Sequence, residues 1–102
     1  MTRRVVWSRA AAADFDGVID YLNRKSPAAA HRVATQLFAA TRRLGAYATG
    51  RPGRVSGTYE KVLRGLSYIV VYSIDRSTAP EEIVVLRVIH GARNWPEGEW
   101  PS

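Results

Sequence analysis

Apolar side chains recur along the chain at two spacings, and the change of spacing divides it into elements. Val5, Val6 and Trp7 form a short run of strand-favouring residues, so Arg3 to Trp7 is expected to be a strand. Ser8 then stands where a helix N-cap belongs, and apolar positions follow at Ala11, Phe15, Val18, Ile19 and Leu22. Steps of three and four put them on one stripe of an amphipathic helix. Asp14, Asp16 and Asp20 fall largely outside that stripe. The pattern breaks between Asn23 and Ser26. Ser26-Pro27 then restarts it, a capping hydroxyl followed by a proline suited to the first helical position. The second helix carries Ala30, Val33, Ala34, Leu37, Phe38 and Leu44 on one face and ends near Gly45. A connection of about four residues makes the two helices run antiparallel.

Beyond the helices the spacing changes. Tyr47 to Thr58 holds Gly50, Pro52, Gly53 and Gly57 and reads as a loop. Three strand-like segments follow. Tyr59 to Leu63 is the weakest, Ser67 to Ile74 is dense in β-branched and aromatic residues, and Glu82 to Ile89 is the last. A tight turn at Arg64-Gly65 and the turn-rich Asp75 to Pro80 join them, so they pair as antiparallel hairpins. The expected class is α+β, in the order strand–helix–helix–strand–strand–strand. A helical hairpin packed on one face of a small, mostly antiparallel sheet buries both apolar stripes. The tail from Asn94 to Ser102, with Pro96, Gly98 and Pro101, is expected to be irregular, and residues 1–102 are read as a single domain.

Composition narrows the functional classes. The chain has no cysteine, so disulfides, thiol nucleophiles and cysteine-built zinc sites are excluded. His31 and His90 lie far apart, and no metal or cofactor is expected. No apolar run is long enough for a transmembrane helix, and the N-terminal residues lack a secretory pattern, so a cytoplasmic location is expected. Fifteen Lys and Arg against nine Asp and Glu give a net charge of +6. Between Arg42 and Arg64 the basic residues are Arg42, Arg43, Arg51, Arg54, Lys61 and Arg64, with Glu60 as the lone acid. Such a zone suits a nucleic acid or an acidic protein, while a basic surface also serves plain solubility.

None of the general catalytic signatures is present. Two segments stand out as candidate sites. Gly50-Arg51-Pro52-Gly53-Arg54 places two guanidiniums on a flexible loop, where they can contact phosphate or carboxylate or simply flank a connector. At the end of the last strand, alternation puts Arg87 and Ile89 on one face and Val88 and His90 on the other, with Arg93 and Trp95 near the exit. An imidazole, a guanidinium and an indole can hold a phosphodiester and a stacked base. The same residues can equally cap a sheet edge, pair with a carboxylate and close the core. His31, beside Arg32 and outside the apolar stripe, reads as a surface residue.

Four segments in order, Trp7-Ser8-Arg9-Ala10-Ala11-Ala12-Ala13-Asp14-Phe15, Gly50 to Thr58, Leu66-Ser67-Tyr68-Ile69-Val70-Val71-Tyr72 and Leu86 to Trp95, resemble the ParE/RelE superfamily of bacterial toxins from type II toxin–antitoxin systems. The resemblance spans nearly the whole chain and is stronger to the ParE branch. It implies a cognate antitoxin, ParD-like or of another kind, bound in a hetero-oligomer, and a role in growth arrest or plasmid stabilisation.

Two activities are implied by the two branches. A ParE-like chain acts by binding and poisoning DNA gyrase, without catalysis of its own and without sequence-specific DNA binding. The target-binding residues would then be drawn from Arg51, Arg54, Tyr59, Lys61, Arg64, Arg87, His90, Arg93 and Trp95. A RelE-like chain is a ribosome-dependent mRNA endoribonuclease, and His90, Arg93, Lys61 and Arg64 would be its catalytic set. Three departures from the nuclease pattern favour the first reading. The central strand begins Tyr68-Ile69-Val70 with no base, the preceding strand lacks a Lys-x-Lys face, and the tail ends Trp100-Pro101-Ser102. One departure from the ParE pattern is Tyr59 before Glu60, where many relatives carry arginine.

Overall fold

The computed structural model describes residues 2–91 and 95–101. Strand β1 (Arg4–Trp7) leads into α1 (Arg9–Lys25) and α2 (Pro27–Leu44), followed by β2 (Arg51–Pro52), β3 (Tyr59–Leu63), β4 (Tyr68–Asp75) and β5 (Glu82–His90). The strands form one sheet in the order β1-β5-β4-β3-β2. Every neighbouring pair is antiparallel except β1 with β5, the first and last strands of the chain, which are parallel.

Both helix starts follow the caps read from the sequence. Ser8 Oγ accepts from the Ala11 N–H at 3.0 Å, and Ser26 Oγ from the Ala29 N–H at 3.2 Å. A cap of this kind stabilises its helix by about 1 kcal/mol. The break is shorter than the expected Asn23 to Ser26. Helix α1 continues to Lys25, and Ser26 alone ends one helix and starts the next, its N–H bonding the Leu22 carbonyl. Asn23, Arg24 and Lys25 are exposed, so the loss of apolar spacing there records solvent rather than a break in the backbone. Phe38 also departs from its expected burial. It is 52% exposed, yet its ring packs at a tilt against Trp7 and Phe15, with ring centroids 5.9 and 4.8 Å away.

The main core lies between the hairpin and one face of the sheet. Leu37 and Leu44 from α2 and Ala11 from α1 meet Leu63, Val70, Tyr72, Ile83, Val85 and Val88. Gly45 permits this closure, because a Cβ there would sit 2.5 Å from the Arg3 carbonyl oxygen. The Tyr72 hydroxyl reaches through the core edge to donate to the Thr49 carbonyl at 2.7 Å. A second, smaller cluster of Ile69, Val71 and Ile89 occupies the outer face, covered by Trp95.

Two features of the sheet were not expected. The loop from Tyr47 to Thr58 contains the two-residue strand β2, which pairs Arg51 with Glu60 and Pro52 with Tyr59. The β4–β5 ladder also has an irregularity. Val71 pairs with Arg87 but Tyr72 with Val85, so Leu86 is an extra residue in β5. This bulge lets Val85 and Val88, three residues apart, both face the helices. The expected alternation from Arg87 to His90 holds on the C-terminal side of the bulge.

Candidate functional site

The candidate residues fall on two faces of the sheet. On the outer face, the loop arginines are engaged by the lone acid of their neighbourhood. Glu60 is 1% exposed and accepts from Arg54 Nη1 at 2.7 Å, Arg51 Nη2 at 3.1 Å and the Arg54 backbone N–H at 2.7 Å. A carboxylate this deep needs paired cations and hydrogen bonds to offset its desolvation. The expected reach of these guanidiniums for an external phosphate is therefore largely spent inside the protein. Arg51 keeps 55% of its side chain exposed. The Arg54 guanidinium also lies 4.4 Å from the Trp95 ring centre.

Beside this group, Arg87 forms a two-pronged pair with Asp14, Nε to Oδ2 at 2.7 Å and Nη2 to Oδ1 at 3.2 Å. The same Oδ2 accepts from the Val88 N–H at 2.9 Å. Strand β1 ends opposite Val85, so beyond it β5 has no neighbour on that side, and Asp14 supplies the acceptor a strand would have given. No local signal marked Asp14, which lies off the apolar stripe and far from Arg87 in sequence. The tail is irregular, as expected, over its described residues, and it is packed down. Trp95 and Trp100 are nearly parallel, 14° apart with centroids at 6.4 Å, and Pro101 is buried. The expected site residue Arg93 lies outside the described residues.

The helix side carries two troughs. The first, about 700 Å³, runs between α1 and the β3–β4 turn and is lined by Gly17, Tyr21, Arg32, Ser67, Tyr68 and His90 among others. His90 meets Tyr68 edge-on at 5.3 Å. Burial, with a smaller contribution from Tyr21, raises the Tyr68 hydroxyl above its ordinary value, so this wall presents a neutral phenol. The second trough, about 380 Å³, lies between α2 and β3, and Arg43, Tyr47, Lys61, Val62 and Arg64 line it. Arg43, Lys61 and Arg64 form no ion pair among the described residues. Leu66 is the residue common to both linings. Tyr59 is turned into the core side, stacked on Tyr72 at 5.5 Å.

The expected nuclease set is thus divided: His90 opens into the first trough, while Lys61 and Arg64 line the second. The expected target-binding set is divided too, with Arg51, Arg54, Arg87 and Trp95 on or around the outer face. Residues that the sequence did not single out, namely Arg32, Tyr21 and Tyr68 in one trough and Tyr47 in the other, complete the surfaces. Only burial and pairing distinguish them from other surface side chains.

No helix among the described residues is long and apolar enough to cross a membrane. Comparison with known proteins agrees with the architecture. Y4kP, a candidate toxin of Sinorhizobium fredii, is 34% identical over 96 residues, covering 93% of this chain and 95% of the relative. A chain of the chromosomal ParDE toxin–antitoxin system from P. aeruginosa superposes with a TM-score of 0.76 at 25% identity, over 87% of this chain and 96% of that one. A chain of the RelBE2 toxin–antitoxin complex from Mycobacterium tuberculosis shares the fold at a TM-score of 0.55 and 24% identity, over 88% and 92%. The model of the ParE toxin of type II toxin–antitoxin systems matches residues 5–95, and the chain belongs to that family.

Proposed function

We propose that this chain arrests growth as a binding toxin, with DNA gyrase as its target, and that a cognate antitoxin neutralises it. The observation that carries the binding reading is the separation of His90 from Lys61 and Arg64 into different troughs. Metal-free cleavage of RNA needs an acid–base group and a phosphate-stabilising cation at one phosphodiester, within hydrogen-bond reach of it. The expected acid–base group, His90, and the expected cations, Lys61 and Arg64, line separate troughs, and the cation in the trough of His90 is Arg32.

The antitoxin docks in the basic trough along α2. Its floor is apolar, with Ala39, Ala40, Leu44 and Leu63, and its rim carries Arg43, Lys61 and Arg64. That combination fits an amphipathic segment with carboxylates on its polar side.

The experiment compares two purified assays. Added to gyrase and plasmid DNA, the protein should block supercoiling and trap cleaved DNA. Added to translating ribosomes, it should leave the mRNA intact. Codon-periodic mRNA cuts abolished by His90→Gln, with gyrase unimpaired, would transfer the chain to the ribonuclease reading.

A further inference from the structure

The described part of the tail is held at two points by two arginines, and the two clasps differ in strength. At the first, Arg54 contacts the Trp95 ring at 4.4 Å, its carbonyl accepts from the Gly98 N–H at 2.9 Å, and its own charge is locked against buried Glu60. At the second, the Arg87 guanidinium stands 5.9 Å from the Trp100 ring centre. That is near the outer limit of an energetically useful cation–π contact, about 6 Å. Trp100 is also 39% exposed, and its other ring contact is the near-parallel stack on Trp95 at 6.4 Å.

The weaker clasp is aimed by a residue of α1, on the helix side of the sheet. Arg87 sits at the β5 bulge, where its side chain can reach both Asp14 and Trp100. Asp14 fixes the guanidinium with a two-pronged pair and also holds the Val88 N–H. Asp14 itself lines the 700 Å³ trough on the helix side. One carboxylate therefore touches the trough and sets the position of the group that clasps the tail.

We propose that residues 95–101 form a strap with a fixed clasp at Arg54 and a releasable clasp at Arg87, and that the releasable clasp is governed from the helix-side trough through Asp14. Anything that draws the Asp14 carboxylate away from Arg87 frees the Trp100 end, while Trp95 stays over Ile69, Val71 and Ile89. The strap keeps its hold at Trp95 meanwhile. This inference does not depend on the identity of the target or the antitoxin.

The three tryptophans give three indole N–H signals in the full-length protein, and these test the idea directly. Asp14→Asn retains an acceptor for the Val88 N–H but removes the charge that aims Arg87. It should shift the Trp100 indole signal and speed its hydrogen exchange about two- to fivefold, the size of an exposed cation–π contact. The Trp95 signal shifts with the loss of its stacked neighbour, but its exchange should keep the parent rate because Arg54 still holds that ring; the Trp7 signal should stay in place, reporting that the fold is intact. Arg32→Ala, in the same trough but off the path, should leave all three unchanged. Arg87→Lys keeps a charge for Asp14 and loses the planar face, so it should release Trp100 even if Asp14→Asn folds poorly. An unmoved Trp100 in both variants, or indole exchange quickened equally at Trp95 and Trp100, would overturn the proposal.

Discussion

Arg51 and Arg54 lie in the same stretch of chain as Lys61 and Arg64, yet the two pairs meet opposite fates. The first pair is bound to Glu60, a carboxylate buried under them on the outer face. The second pair lines the α2 trough with Arg43 and forms no ion pair among the described residues. Alternation along β3 separates them, since Glu60 and Lys61 are adjacent and point to opposite faces. The lesson is that net charge locates no site. A guanidinium that neutralises an internal carboxylate serves stability, and a cation left at the rim of an apolar groove is available to a partner.

Glu60→Ala should break this comparison most severely. It strands two arginines and the Arg54 N–H, a loss of about 3 kcal/mol, reduced from the cost in a fully buried site because both guanidiniums can swing into water. Urea unfolding should show an unfolding free energy lower by that amount, with a lowered midpoint, and Glu60→Gln a smaller loss. An unfolding midpoint equal to that of the parent would show that the outer-face cluster does not stabilise the fold.

The second test sharpens the other half. Lys61→Glu and Arg64→Glu should each change stability by less than about 0.5 kcal/mol, as exposed substitutions do. Each should weaken binding of an acidic antitoxin segment by about tenfold, with a reduced salt dependence, in calorimetric titrations at low and high salt. If charge reversal at the trough leaves the affinity unchanged, the segment does not lie there.

The smallest effects come from pH. The Tyr72 hydroxyl is raised above its ordinary 10.0 by burial, with Tyr59 adding to the shift and Arg3 opposing it. A raised pKa in the folded state means stability that is intact below about pH 10 and declines as the pH climbs past it. At the acid end, Arg3 and then Arg76 lower the Glu81 carboxyl below its ordinary 4.5, against a partly offsetting desolvation. That contribution is present above pH 4.5 and fades as the pH falls, and it is slight because the pairs face solvent. Thermal melts across pH should therefore fall off more at the alkaline end than near pH 4. The reverse order would mean that the Tyr72 hydroxyl bond to Thr49 contributes less than the surface pairs.

The sequence by itself determined the two helices, their caps, most of their apolar stripes and the three long strands. Those features are written in neighbouring residues: Ser8 and Ser26 cap within their own first turns, and periods of 3.6 and 2 repeat over short spans. Tertiary structure decided everything that joins distant positions. The bulge at Leu86 arises from how β5 meets β4, and the Asp14–Arg87 pair closes over 73 residues of chain. The pairing of Arg51 and Arg54 with Glu60 had a visible hint, a single acid among bases, but nothing local said which cations it would take. Arg51, Lys61 and Arg87 are alike as sequence symbols because pairing and burial are properties of the assembled surface, where a charge either finds an internal partner or remains for an external one.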